Sequence, residues 1–167
     1  WHEIRNAYRT RRILTGTLDG IEQTTGGKTL ATVSFRGFRI AIPIREMLVL
    51  DERMPSGRAY TDYMNRLNRI LGTMLGAEID FIVKGIDSTT HSAVASRREA
   101  MLRKRQTFYL GKDVSGNPYI YPGRLVEARV IAVAEKVLRV EAFGIECAIF
   151  ARDLSWQWVS DVRDLYS

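Results

Sequence analysis

One stretch of this chain is written twice. Residues 30–47 align without a gap on residues 137–154, every position offset by 107. In each copy an apolar run that alternates with polar residues reaches a glycine, Gly37 or Gly144, and a second run follows it. The second run leads to an acid and a large apolar residue, Glu46-Met47 or Asp153-Leu154. Alternation is the pattern of a half-buried strand, and a glycine between two such runs marks a turn. A spaced internal repeat means one structural unit used in tandem.

The likeness extends toward the N-terminus. Residues 125–133 match the strand that opens with Ile13-Leu14-Thr15-Gly16-Thr17-Leu18, now at an offset of 112. The first hairpin is therefore five residues longer than the second. Gln23-Thr24-Thr25-Gly26-Gly27-Lys28 reads as its turn. Beyond the first copy, Tyr63, Leu67, Ile70, Leu71, Met74 and Leu75 fall at helical spacing, with Gly76 as the stop. Residues 78–83 and 92–96 read as a fourth and a fifth strand, and residues 97–106 as a basic helix. Residues 1–12 read as a basic helix or arm. Residues 111–123 hold three glycines and two prolines and read as a linker.

This order predicts a mainly β chain with some α: residues 13–110 as a first domain and residues 124–167 as a second. Five short strands with a helix between the third and fourth is the order of an OB-fold, an open Greek-key barrel. The second copy is followed by no counterpart of strands four and five, so it reads as a truncated barrel. Sheet edges left open in this way need covering, by further sequence or by a partner strand.

Charge is uneven. Residues 1–110 hold 18 Lys+Arg against 11 Asp+Glu, whereas residues 111–167 hold 7 against 8. The whole positive excess lies in the first two thirds, the footprint expected of a polyanion binder; a solvated basic surface is the plainer reading. Longer apolar runs that would cross a bilayer are missing, and no segment reads as a secretory signal. The first residue is Trp1 rather than Met, so the natural start is expected upstream. The single Cys147 excludes an internal disulfide, and no Cys/His spacing suits zinc. Together these point to a cytoplasmic protein with no membrane association.

Two segments resemble a known family. Asp153-Leu154-Ser155-Trp156, with Val159, Asp161 and Tyr166 behind it, is similar to the segment after the third strand of the ribosomal protein S-one repeat. Ala95-Ser96-Arg97-Arg98-Glu99-Ala100 is similar to that repeat's closing strand end. The resemblance spans roughly residues 12–106 and 124–167. It implies tandem OB-fold modules that bind RNA or single-stranded nucleic acid without catalysis, with the ribosome or another protein assembly as a further partner. The chain also departs from the family. Leu30 and Val137 stand where it usually has an aromatic on the RNA face. Pro43 and Phe150 stand late in the third strand, and only Phe150 keeps a stacking surface.

Single-strand binding needs aromatic faces for bases and guanidinium groups for phosphates. Phe35-Arg36-Gly37-Phe38-Arg39 supplies both. Phe38 is in phase with Ile40 and Ile42, which favours the core for it, whereas Arg36 and Arg39 point the other way. Phe35 stands open between a stacking role and the core. Arg97, Arg98, Arg103, Lys104 and Arg105 form the densest basic cluster, offset by Glu99; it reads as a phosphate-binding surface or as a solvated helix face. Arg139, Phe143 and Phe150 are the corresponding candidates in the second copy.

Other motifs carry less. Gly26-Gly27-Lys28-Thr29 lacks the upstream glycine of a phosphate loop and precedes a strand, so it reads as a turn. His2 and His91 read as surface residues, Cys147 as a buried small hydrophobe, and Tyr119 and Tyr121 as exposed aromatics. Trp156 and Trp158 lie two apart, with Trp156 expected against the barrel. No nucleophile–base arrangement or paired carboxylates mark an enzyme, and no cofactor or metal is expected. A protein-interaction or assembly module, ribosome-associated or phage-encoded, is the alternative. A nuclease or transferase would need an active site outside these residues.

Overall fold

The computed structural model describes residues 1–49 and 56–153. The chain divides into two compact units, Trp1–Ala100 and Met101–Ser167. The division falls inside the basic helix, upstream of the glycine- and proline-containing segment expected to link the domains.

In the first unit, helix α1 (His2–Thr10) precedes strands β1 (Ile13–Gln23), β2 (Thr29–Phe35) and β3 (Phe38–Pro43). A 3-10 turn (Ile44–Glu46) and helix α2 (Arg58–Thr73) lead to β4 (Glu78–Asp87) and β5 (Ser92–Ser96). The strands close a mixed barrel in the order β1-β2-β3-β5-β4. Five strands closed in this order, with a helix between the third and fourth, make the unit OB-fold-like.

Closure rests on β1, which serves two neighbours. Its first half, from Ile13 to Thr17, pairs with β4, and its second half, from Thr17 to Gln23, pairs with β2. The strand bends between them at an irregularity at Leu18/Gly20. Both sides of the bend are tight, most of all Gly16, which faces backbone. A Cβ at Gly16 would come within 2.7 Å of Val33 Cγ1 and 2.8 Å of the Ser34 carbonyl, and one at Gly20 within 2.6 Å of Thr32 Oγ1.

Alternation then sorts the side chains. Leu14, Leu18, Ala31, Val33, Ile40, Ile42, Ile79, Phe81 and Val83 fill the interior. Helix α2 adds Tyr63, Leu67 and Leu71, three residues four apart on one face, and α1 adds Ile4 and Ala7. Each fully buried leucine or isoleucine stabilises the fold by about 1.5–3 kcal/mol. Gly76 lies just past α2, as a helix stop should, and its N–H bonds to the Leu18 carbonyl at 2.7 Å.

Helix α3 (Arg97–Phe108) follows β5. Ser96 starts it: its hydroxyl accepts the Glu99 N–H at 3.0 Å and donates to Glu46 Oε2 at 2.5 Å. This is an N-cap, which offsets one of the unpaired donors of the first helical turn.

In the second unit β6 (Arg129–Val133), β7 (Val137–Ala142) and β8 (Ile145–Phe150) form a three-stranded antiparallel sheet, and a 3-10 turn (Ala151–Asp153) follows. The sequence repeat holds at the level of hydrogen-bond register. Leu30 faces Pro43 as Val137 faces Phe150, and Phe35 faces Phe38 as Ala142 faces Ile145. The irregularity at Leu18/Gly20 recurs at Val130/Ala132, at the offset of 112. Both hairpins turn through two residues with positive φ, Arg36-Gly37 (47° and 83°) and Phe143-Gly144 (52° and 92°). Turns of this hand match the twist of the strands they join.

Two expectations for the second unit need correction. The strand expected over residues 125–133 is regular only from Arg129 onward. Cys147, expected to be buried, is exposed. The reason is common to both. Ile40, the counterpart of Cys147, is covered because β3 pairs with β5 at Ile40–Ala93. The counterparts of residues 125–129 are strand because they pair with β4. Among the described residues, β6 and β8 have no such neighbours. The segment from Leu154 to Tyr166, which carries much of the family resemblance and both Trp156 and Trp158, lies outside the described residues.

The two turns give a contrast. A Cβ at Gly37 would meet nothing within 4 Å, whereas one at Gly144 would run into the Met101 carbonyl oxygen. Gly37→Ala is expected to destabilise its unit by about 1–2 kcal/mol, the cost of a left-handed residue alone. Gly144→Ala is expected to cost clearly more. Urea unfolding of both variants checks this, and equal midpoint shifts would contradict it.

Candidate nucleic-acid interface

The fold parts the basic residues that the sequence groups together. Arg97 is 2% exposed and its Nη1 donates to the Met47 carbonyl at 2.8 Å. It is an interior residue of the first unit and presents nothing to a ligand, a correction to its expected role. Arg98, one position on, is exposed.

Further along α3, in the second unit, Lys104 Nζ donates to Glu141 Oε1 at 2.6 Å, with both side chains largely buried. Glu141 also accepts the Gly144 N–H at 2.6 Å. Arg105 Nε donates to the Gly144 carbonyl at 2.6 Å. Lys104 and Arg105 therefore hold the β7–β8 turn, and Arg103 is the exposed member of this group. Tyr109 donates to the Ala142 carbonyl at 2.8 Å, and burial pushes its phenol above the ordinary tyrosine range.

In the first unit, Phe35 is buried and meets Phe81 edge to face at 6.1 Å. It belongs to the core, which corrects its candidacy for base stacking. Arg36 and Arg39 do reach the surface, but each is engaged: Arg36 with Glu3 at 2.5 Å and Arg39 with Glu22. Phe38 is half-buried against Trp1, whose ring stacks on His91 at 5.0 Å. Leu30 faces Pro43, Thr32 faces Ala41 and Ser34 faces Arg39 across β2 and β3. This outer face has no aromatic. On α1, His2, Arg5, Asn6 and Arg9 line a hollow of about 170 Å³.

The second unit differs. Phe150 ends β8 and is 49% exposed. The Arg152 guanidinium lies 5.3 Å from the centre of its ring. Arg139 lies on the strand paired with β8, facing Ala148, and is tied to Glu146. Phe143 turns away from this group and stacks on Phe108 at 4.4 Å, with Tyr119 against the same ring at 6.0 Å. Tyr119 is thus partly covered, and Tyr121 is exposed as expected.

Of the expected residues, Phe150 and Arg139 lie on paired strands, with Arg139 tied to Glu146, and Arg36 and Arg39 reach the surface on separate acids, Glu3 and Glu22. Phe35 and Arg97 are taken inside, and Lys104, Arg105 and Phe143 become structural. Arg152 was not singled out by sequence. Its signal was its place two residues after an exposed-phase aromatic, which a 3-10 turn brings over the ring. Among the described residues no group of three or more His, Cys, Asp or Glu is placed to hold a metal. No described helix is long and apolar enough to cross a membrane.

Lys104→Met leaves the Glu141 carboxylate buried with one partner fewer. It is expected to destabilise the second unit by about 3 kcal/mol, and Lys104→Met with Glu141→Gln by less. Hydrogen exchange at the β7 amides under native conditions reads the difference; a single variant no worse than the double would contradict the assignment. No protein-family model matches this chain, and comparison with curated proteins finds no match.

Proposed function

We propose that this chain binds single-stranded nucleic acid, RNA by its resemblance to the S-one repeat, and catalyses no reaction. The observation that carries the reading is Phe150, an aromatic half-exposed on a strand face with a guanidinium over its ring and Arg139 on the neighbouring strand. A base stacked on such a ring contributes about 1–3 kcal/mol and tolerates any sequence. The register match supports reading the second unit as a further copy of the first, so that β7 and β8 stand where an OB-fold presents its ligand face. The first unit supplies charge rather than stacking: Arg5 and Arg9 at one hollow of α1, with Arg36, Arg39 and Arg98 exposed.

A second reading, a protein-interaction module, is favoured by the first unit's outer face. There Leu30 and Pro43 occupy the positions where a stacking residue would stand, and Arg36 and Arg39 are already paired with acids.

Fluorescence anisotropy with a labelled oligouridine RNA tests the proposal. Binding is expected at low salt and is expected to weaken steeply as salt rises, because phosphate contacts release counterions. Phe150→Ala is expected to weaken it by about tenfold without loss of fold, matching one lost stacking contact. Absence of binding at low salt, or binding indifferent to both salt and Phe150, would favour the protein-interaction reading.

A further inference from the structure

The register match has a consequence at residues 125–129. In the first unit the equivalent residues, from Ile13 to Thr17, form a strand because each faces a residue of β4: Ile13 faces Ile82, Leu14 faces Phe81, Thr15 faces Asp80, Gly16 faces Ile79 and Thr17 faces Glu78. At the offset of 112 those five become Leu125, Val126, Glu127, Ala128 and Arg129. Apart from Arg129 they are not in a strand, and Leu125 is fully exposed to solvent. They also form one wall of a cleft of about 550 Å³, completed in part by Lys104, Phe108 and Phe143.

Size and charge say what fits. The residues that meet β4 from inside the first barrel are Leu14 and Gly16, with four side-chain carbons between them; Val126 and Ala128 also carry four. Laid out as a strand in the register of β1, residues 125–129 would offer an incoming strand the same inward volume, divided differently. Outward, Thr15 donates to Asp80 at 2.6 Å, but its counterpart is Glu127, which would repel an acid in that place. Opposite charges directly across two strands attract, and like charges repel.

We infer that residues 125–129 are a docking edge for an extended strand of another polypeptide, laid antiparallel as β4 is on β1. The strand it takes has apolar residues at the two positions facing Val126 and Ala128, and a cationic residue between them facing Glu127. Main-chain bonds give such contacts their affinity, and the alternate side chains give them specificity. This inference does not depend on nucleic-acid binding.

Two labelled peptides test it on the full chain: one with the sequence of residues 77–84, and the same peptide carrying Asp80→Lys. Fluorescence anisotropy is expected to show both binding, the lysine peptide about threefold more tightly. Glu127→Lys in the protein, an exposed change that leaves the fold intact, is expected to reverse that order. Val126→Asp, which puts a charge on the inward face, is expected to abolish binding of both. Neither peptide binding, or both binding regardless of residues 126 and 127, overturns the inference. So does a chain that is dimeric by sedimentation and becomes monomeric in Val126→Asp, since a second copy would then fill the edge.

Discussion

The first unit depends on β1 having two partners. Its leading half closes the barrel onto β4 and its trailing half starts the meander with β2 and β3. A strand can be shared in this way only if it bends, and it bends between two glycines, Gly16 pressed against the β2 backbone and Gly20 against the Thr32 hydroxyl. Everything else follows from closure. With no open edge, Leu14, Leu18, Val33, Ile40, Ile42 and Phe81 have the same interior to fill, and α2 covers part of it with Tyr63, Leu67 and Leu71.

The second unit has a three-stranded meander in the same register, and among the described residues no further strand closes it. Its bend, its register and its left-handed turn fall at equivalent residues. Ala128 and Ala132, however, stand in place of Gly16 and Gly20. Val130 and Cys147 are exposed where Leu18 and Ile40 are fully buried. Helix α3 steadies the sheet from one side, through Lys104 to Glu141 and Arg105 to Gly144. On this sheet Phe150 is half-exposed, and among the described residues no strand pairs with residues 125–128.

Much of this fold was legible from local pattern. Residues 29–35, which alternate, and residues 92–96, read as a fifth strand, become β2 and β5 with those bounds. The repeat was legible because the two hairpins share one spacing and one register. What was not legible depends on who the neighbours are. Phase favoured the core for Phe38 and left Phe35 open, yet Phe35 is the one buried, on Phe81, while Phe38 is half-buried against Trp1. Arg97 looks like the head of a basic cluster, yet it lies inside because the Met47 carbonyl needs a donor there. Cys147 has the sequence of a core residue, but among the described residues no strand pairs with the outer side of β8 to cover it. The stacking of Arg152 on Phe150 depends on a 3-10 turn that no periodicity announces.

The two units share one hydrogen-bond register, and among the described residues only the first has a strand that closes it. Amide hydrogen exchange at residue resolution, with residues 13–17 and 125–129 compared in the same free protein, tests it most directly. Slow exchange at residues 13–17 beside exchange at nearly the unfolded rate at residues 125–128 is the predicted result. Equal protection at both stretches would contradict it.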